Sequence, residues 1–129
     1  MKKEVRQQVY SKYGGRCAYC GQEMSYDEMQ VDHLIPKRLF TAYDLSSEQS
    51  QEWFRREFNA KSLDKDDLSN LMPSCRSCNN YKGAEPLAYY RMWMKTIHER
   101  LNKISIFRIA VRFGIVKVKP FDGEFYFEK

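Results

Sequence analysis

Apolar positions recur at helical spacing near the start of the chain. Val5, Val9, Tyr10 and Tyr13 fall on one face over residues 2–13, and Gly14-Gly15 closes the run as a C-cap does. The stretch Met29–Ile35, MQVDHLI, predicts a short strand stopped by Pro36. Residues 46–60 predict a helix capped by Ser46 or Ser47, with Trp53, Phe54 and Phe58 as its apolar stripe. The polar run 61–69, carrying Asp64, Asp66 and Asp67, is a loop, and Asn70-Leu71-Met72-Pro73 returns as an extended segment. Past Lys82 the pattern predicts one long helix over 86–103, with Pro86 in its first turn, then a second over 105–113 ending at Gly114. The tail predicts a β-hairpin: Ile115–Val118 alternates, Asp122-Gly123 turns and Phe125–Phe127 returns. The fold class expected is α+β.

Length and composition narrow the picture. At 129 residues the chain is expected to be a single domain, and 43% hydrophobic with 30% charged residues marks a folded protein rather than a disordered one. The net charge of +5 favours an anionic partner, an inference that gains force only beside a phosphate-handling site. The N-terminus lacks the apolar segment of a secretory signal, and no stretch approaches a membrane span, so a cytoplasmic location without membrane attachment is the expectation. In that compartment paired thiols serve as metal ligands more readily than as disulfides. Two disulfides in a small secreted protein are the alternative.

Four cysteines form two C-x-x-C pairs, Cys17/Cys20 and Cys75/Cys78. Four thiolates can close a tetrahedral zinc site that leaves no open position, so the expected zinc is structural. Between Cys20 and Cys75 lie 54 residues, enough for a folded unit, and they include Asp32-His33. Asp32 offers a hard oxygen ligand and His33 an imidazole that can serve as a general base. Asn79, at the expected start of a helix after the second pair, adds an amide oxygen where a helix N-terminus attracts phosphate. A carboxylate and an amide oxygen suit Mg²⁺ or Mn²⁺, with His33 activating an attacking water. Adjacent strand residues point to opposite faces, so Asp32 and His33 share a site only if the strand bends or ends there.

The run VDHLIP, then NLMPSCRSCNNYKG, with CAYC upstream, resembles the HNH endonuclease family in its zinc-bearing form. The resemblance spans residues 17–83 and rests on three motifs in order, with 84–129 as a helical and hairpin extension. It implies a ββα-metal core (the His-Me finger) with structural zinc knuckles and flanking helices. It makes His33 the general base, Asp32 and Asn79 ligands of the catalytic ion, and Asn70 the asparagine that steadies the loop orienting the histidine. Asn79 in place of a histidine makes this an H-N-N variant. Lys82 and Arg76 match positions that touch the DNA backbone, and Lys37 and Arg38 are taken with them. The segment PKRLFTAYDL and the helix after it depart from the short glycine-containing loop of many relatives.

The resulting expectation is a DNA endonuclease, acting on double-stranded DNA by metal-dependent phosphodiester hydrolysis. A non-catalytic zinc-knuckle module that binds nucleic acid is the alternative, and an RNA-directed or toxin-type nuclease uses similar chemistry. No base-reading module is recognisable, so targeting falls to the inserted helix, the C-terminal region or a protein partner. Tyr89, Tyr90, Arg91, Trp93 and Lys95 can be read as an aromatic–basic surface for nucleic acid, but the favoured reading makes Tyr90 and Met94 core and Arg91 and Lys95 a solvated face, with His98 structural.

Overall fold

A computed structural model describes all residues, Met1–Lys129. The order of elements is α1 (Lys3–Ser11), β1 (Gln30–His33), α2 (Lys37–Ala42), α3 (Glu48–Phe58), β2 (Leu71–Ser74), α4 (Arg76–Lys82), α5 (Leu87–Lys95), α6 (Ile97–Leu101) and α7 (Ser105–Arg112). The fold is therefore mixed α and β around one small sheet. β1 and β2 pair antiparallel, with Asp32 opposite Met72 and His33 opposite Leu71. The chain divides into two compact units, Met1–Leu87 with Phe125–Lys129, and Ala88–Glu124. The whole motif region 17–83 lies in the first.

Sequence signals explain the first unit well. Ser47 caps α3 by accepting from the Ser50 amide at 3.1 Å, and Asn59 ends that helix in the left-handed region at φ 52°. α2 is an addition to the expected elements: Pro36 precedes its first turn, and Leu39 turns inward. Leu39 joins Ile35, Phe54 and Ala60 in a buried cluster that α2 and α3 close together. Elsewhere in this unit Val9, Tyr19, Leu71, Met72 and Phe125 are buried, all at or below 4% exposure, with Phe125 edge-on to Tyr19.

The tail departs from expectation. No strand forms over residues 115–128, so the C-terminal β-hairpin is absent. Instead Tyr126 and Phe127 donate their backbone N–H groups to Tyr19 O and Ala18 O at 3.0 and 2.8 Å, and Phe125 packs edge-on against Tyr19. Ile115, Val116 and Val118 remain exposed, because the alternation that predicts a strand finds no apolar face to cover. The long helix predicted over 86–103 is also broken at Thr96, whose φ of −109° and ψ of 5° are not helical. Arg100 stacks over the Trp93 ring at 3.6 Å and donates to Trp93 O, satisfying a carbonyl that α5 leaves open at its end.

Candidate functional site

Each C-x-x-C pair forms a tight turn. Gly21 follows the first at φ +77°, and a Cβ there would stand 2.8 Å from the Tyr126 ring, so the position demands glycine on both counts. In the second, Cys75 is the residue before α4, and its sulfur accepts from the Cys78 amide. Ala18 N donates to Pro73 O at 2.8 Å, tying the first turn to β2 just ahead of the second. The four sulfurs lie within 4.8 Å of one another, with Cys20 and Cys75 at 3.9 Å. Tetrahedral bonds of ~2.3 Å to zinc place sulfurs about 3.8 Å apart, so the cluster fits such an ion. Crowding of thiols also splits their acidities. Hydrogen bonding from Cys78 draws Cys17 down to about 4, while burial pushes Cys20 up to about 11. Four sulfurs gathered around one point are a set that a dication satisfies and protons do not.

α4 runs back across β1 and meets one face of it. Gln30 and Asp32, two apart on the strand, point to that face. Asn79 Nδ2 donates to Gln30 Oε1 at 2.6 Å, and Lys82 Nζ lies 3.1 Å from Asp32 Oδ2. Tyr19 Oη, from inside the first cysteine turn, donates to the same carboxylate oxygen at 2.5 Å. Asp32 Oδ1 and Asn79 Oδ1 take no part in these bonds. The structure thus brings Asp32 and Asn79 onto one face of β1, under α4. Asn79 sits in the fourth position of α4, one turn inside the helix rather than at its start as the sequence implied.

Lys82 overturns a second expectation. Its side chain is 0% exposed, and Nζ also donates to His33 O at 3.1 Å. A lysine so enclosed cannot reach a DNA backbone. A position in the last turn of a short helix does not reveal which way the side chain faces; the crossing of α4 over β1 turns it inward. The other basic residues named, Lys37, Arg38 and Arg76, are all exposed, and Arg38 also donates to Ala84 O and lies 3.5 Å from Glu85.

His33 ends β1 and faces away from Asp32 towards the polar loop. Its Nε2 lies 2.9 Å from Asp66 Oδ1. Asp66 is held ionised, its pKa lowered to about 2, first by the bond from Lys65 and then by the bond to His33. Asp66 is the residue that sequence reasoning missed: it stood in a run of acidic loop residues, and nothing local marks it as the partner of a histidine 33 positions earlier. Asn70 explains how the two meet. It is buried, accepts from Ile35 N at 2.7 Å, and donates to Ile35 O and to Lys65 O at 3.1 and 2.9 Å. One amide therefore ties the chain just after His33 to the chain just before Asp66.

No protein-family model matches the chain. It is 30% identical over 91 residues to the candidate HNH endonuclease of retron Vc95 from Vibrio cholerae serotype O1 biovar El Tor, a match covering 63% of this chain and 43% of that protein. The chain thus spans less than half the length of this relative. A partial likeness also exists to the crystal structure of the Type II-C Cas9 enzyme from Actinomyces naeslundii, at 26% identity and a TM-score of 0.44, covering 68% of this chain and 8% of that one. No helix is long and apolar enough to cross a membrane. Over part of its length the chain is thus similar to a protein described as an HNH endonuclease.

Proposed function

We propose that the chain is a metal-dependent endonuclease that hydrolyses phosphodiester bonds in DNA, with β1, β2 and α4 as a ββα-metal core and the four cysteines holding structural zinc. The observation that carries this reading is the His33–Asp66 pair at 2.9 Å. An ionised carboxylate accepts a hydrogen bond, so Asp66 favours the imidazole with its proton on Nε2. Nδ1 is then left with a free lone pair, able to take a proton from an attacking water. The imidazolium that results stays next to a carboxylate, which stabilises the charge it has gained. Asn70 holds both partners in register through Ile35 and Lys65.

Asp32 with Asn79 would hold the working ion, and a hard dication such as Mg²⁺ or Mn²⁺ supplies stabilisation of the charge that develops on the leaving oxygen. Oxygen donors from a carboxylate and an amide suit such an ion. Tyr19 and Lys82 fix the carboxylate from two sides, and both belong to segments that the cysteine cluster anchors. Lys37 and Arg76, exposed, are available to phosphate. One observation favours a binding module without catalysis: the ammonium of Lys82 already balances the charge of Asp32. A plasmid-nicking assay separates the two readings. The wild type should cut with Mg²⁺ and not with EDTA, and His33→Ala should abolish cutting while retaining zinc and fold. Near-wild-type cutting by His33→Ala would sink the mechanism, and tight binding by the wild type with no metal-dependent cutting would establish the binding module.

A further inference from the structure

The two units differ sharply in charge. Met1–Leu87 with Phe125–Lys129 carries 14 Lys or Arg against 14 Asp or Glu, whereas Ala88–Glu124 carries 8 against 3. The entire net charge of +5 therefore resides in the second unit. It is concentrated further still. Residues 103–119 hold Lys103, Arg108, Arg112, Lys117 and Lys119, all exposed, and not one carboxylate. None of the five takes part in an ion pair, and the one side-chain bond among them runs from Arg108 to Asn102 O.

We infer that residues 103–119, in the second unit, form a binding surface for the nucleic-acid phosphate backbone that supplies most of the electrostatic affinity. The inference rests on the nuclease reading for its choice of polyanion. A unit with balanced charge, whose motif lysine is buried, exerts little long-range pull on DNA. Five uncompensated cations within 17 residues do exert it, because each phosphate they neutralise releases a condensed counterion. Arg108 and Arg112 are one helical turn apart on one side of α7. Lys117 and Lys119 carry the charge beyond the helix, past the turn at Gly114, where an amphipathic helix lying on a lipid surface would already have ended.

The test is the salt dependence of binding, measured by anisotropy of a labelled duplex on the full, zinc-loaded chain carrying His33→Ala to prevent cutting. Replacing Lys103, Arg108, Arg112, Lys117 and Lys119 with glutamine should weaken binding at least roughly tenfold near ~0.1 M salt. It should also flatten the log–log salt slope by ~0.9 for each phosphate that is no longer neutralised. The pair Lys117→Gln and Lys119→Gln lies outside α7 and tests the idea without touching a helix, with an expected change in slope of up to about 2. A control removing the same charge from the balanced unit, at Lys2, Lys3, Arg55, Arg56 and Lys61, should weaken binding less than ~3-fold, since it leaves the basic track intact. Wild-type affinity and slope in the folded five-site variant would overturn the inference, as would an equal weakening in the control. Loss of binding to phosphatidylserine vesicles with duplex binding unchanged would overturn it too. Metal-dependent cutting is scored separately on the chain without His33→Ala. A wild type that binds through 103–119 but never cuts refutes the nuclease reading and leaves this surface standing.

Discussion

Replacing Lys82 with methionine removes an ammonium that is wholly enclosed and keeps most of the apolar stem. What it leaves behind is Asp32, only 9% exposed, with one of its two polar partners gone. Breaking a buried pair from one side costs ~3–5 kcal/mol, because the remaining charge is neither solvated nor matched. The Tyr19 hydrogen bond persists and offsets part of this, so the lower end, about 3 kcal/mol, is the expected loss. Against a total stability of ~5–15 kcal/mol this is a large fraction, equivalent to roughly 10 °C in Tm. The assay is urea unfolding of zinc-loaded, magnesium-free protein followed by circular dichroism. The double variant Asp32→Asn with Lys82→Met should recover at least ~1 kcal/mol, since it removes the stranded charge. A loss below ~1 kcal/mol in the single variant, with no coupling in the double, would refute the buried pair. The family resemblance, which assigns Lys82 to the DNA backbone, forecasts the reverse: weaker DNA binding at unchanged stability.

Two further outcomes follow from the histidine side of the sheet. Asn70→Ala strands the buried Ile35 N–H and two carbonyl partners, so it should cost ~2–3 kcal/mol in unfolding experiments and reduce cleavage; an unchanged midpoint would show that Asn70 is no tie. Asp66→Asn should lower the cleavage rate by ~10–100-fold at saturating DNA with little change in stability, and Asp66→Glu should restore part of it; unaltered turnover in the asparagine variant would remove Asp66 from the site. The same residue has an acid signature. Its folded pKa is depressed from 3.8 to about 2, so the stabilisation it gives, kept small by solvent screening at this exposed site, is present above pH 3.8 and is lost as pH falls through about 2. Carboxyl-carbon NMR titration reads this directly, and a midpoint near the ordinary aspartate value would contradict the Lys65–Asp66–His33 arrangement.

Much of the first unit was legible residue by residue. The cap at Ser47, the apolar stripe of α3 and the stop at Pro36 act over three or four positions, and such signals act through local backbone geometry. The cysteine spacing was legible for the same reason, since two intervening residues compel a tight turn with both sulfurs on its inner side. Asp32, His33, Asn70 and Asn79 stood out because each motif sits in one short run. Asp66 did not, because its meaning depends on a partner across the fold. The helix break at Thr96 was not legible, since Arg100 reaches the Trp93 ring and donates to the Trp93 carbonyl only once the chain has turned.

By itself, then, the sequence determined the two cysteine pairs, the extended segments beside them, the adjacent Asp32-His33 and the total charge. These are properties of local spacing and of composition. The tertiary structure alone decided where the polar groups point: Lys82 inwards onto Asp32, Tyr19 from a cysteine turn onto the same carboxylate, and Asp66 onto His33. It also decided that the tail pairs with Ala18 and Tyr19 instead of with itself, and that the net charge gathers in one unit. The physical reason is common to all of them. A side chain's partner is selected by desolvation and by the crossing of distant elements, and neither is written into the few residues on each side of it.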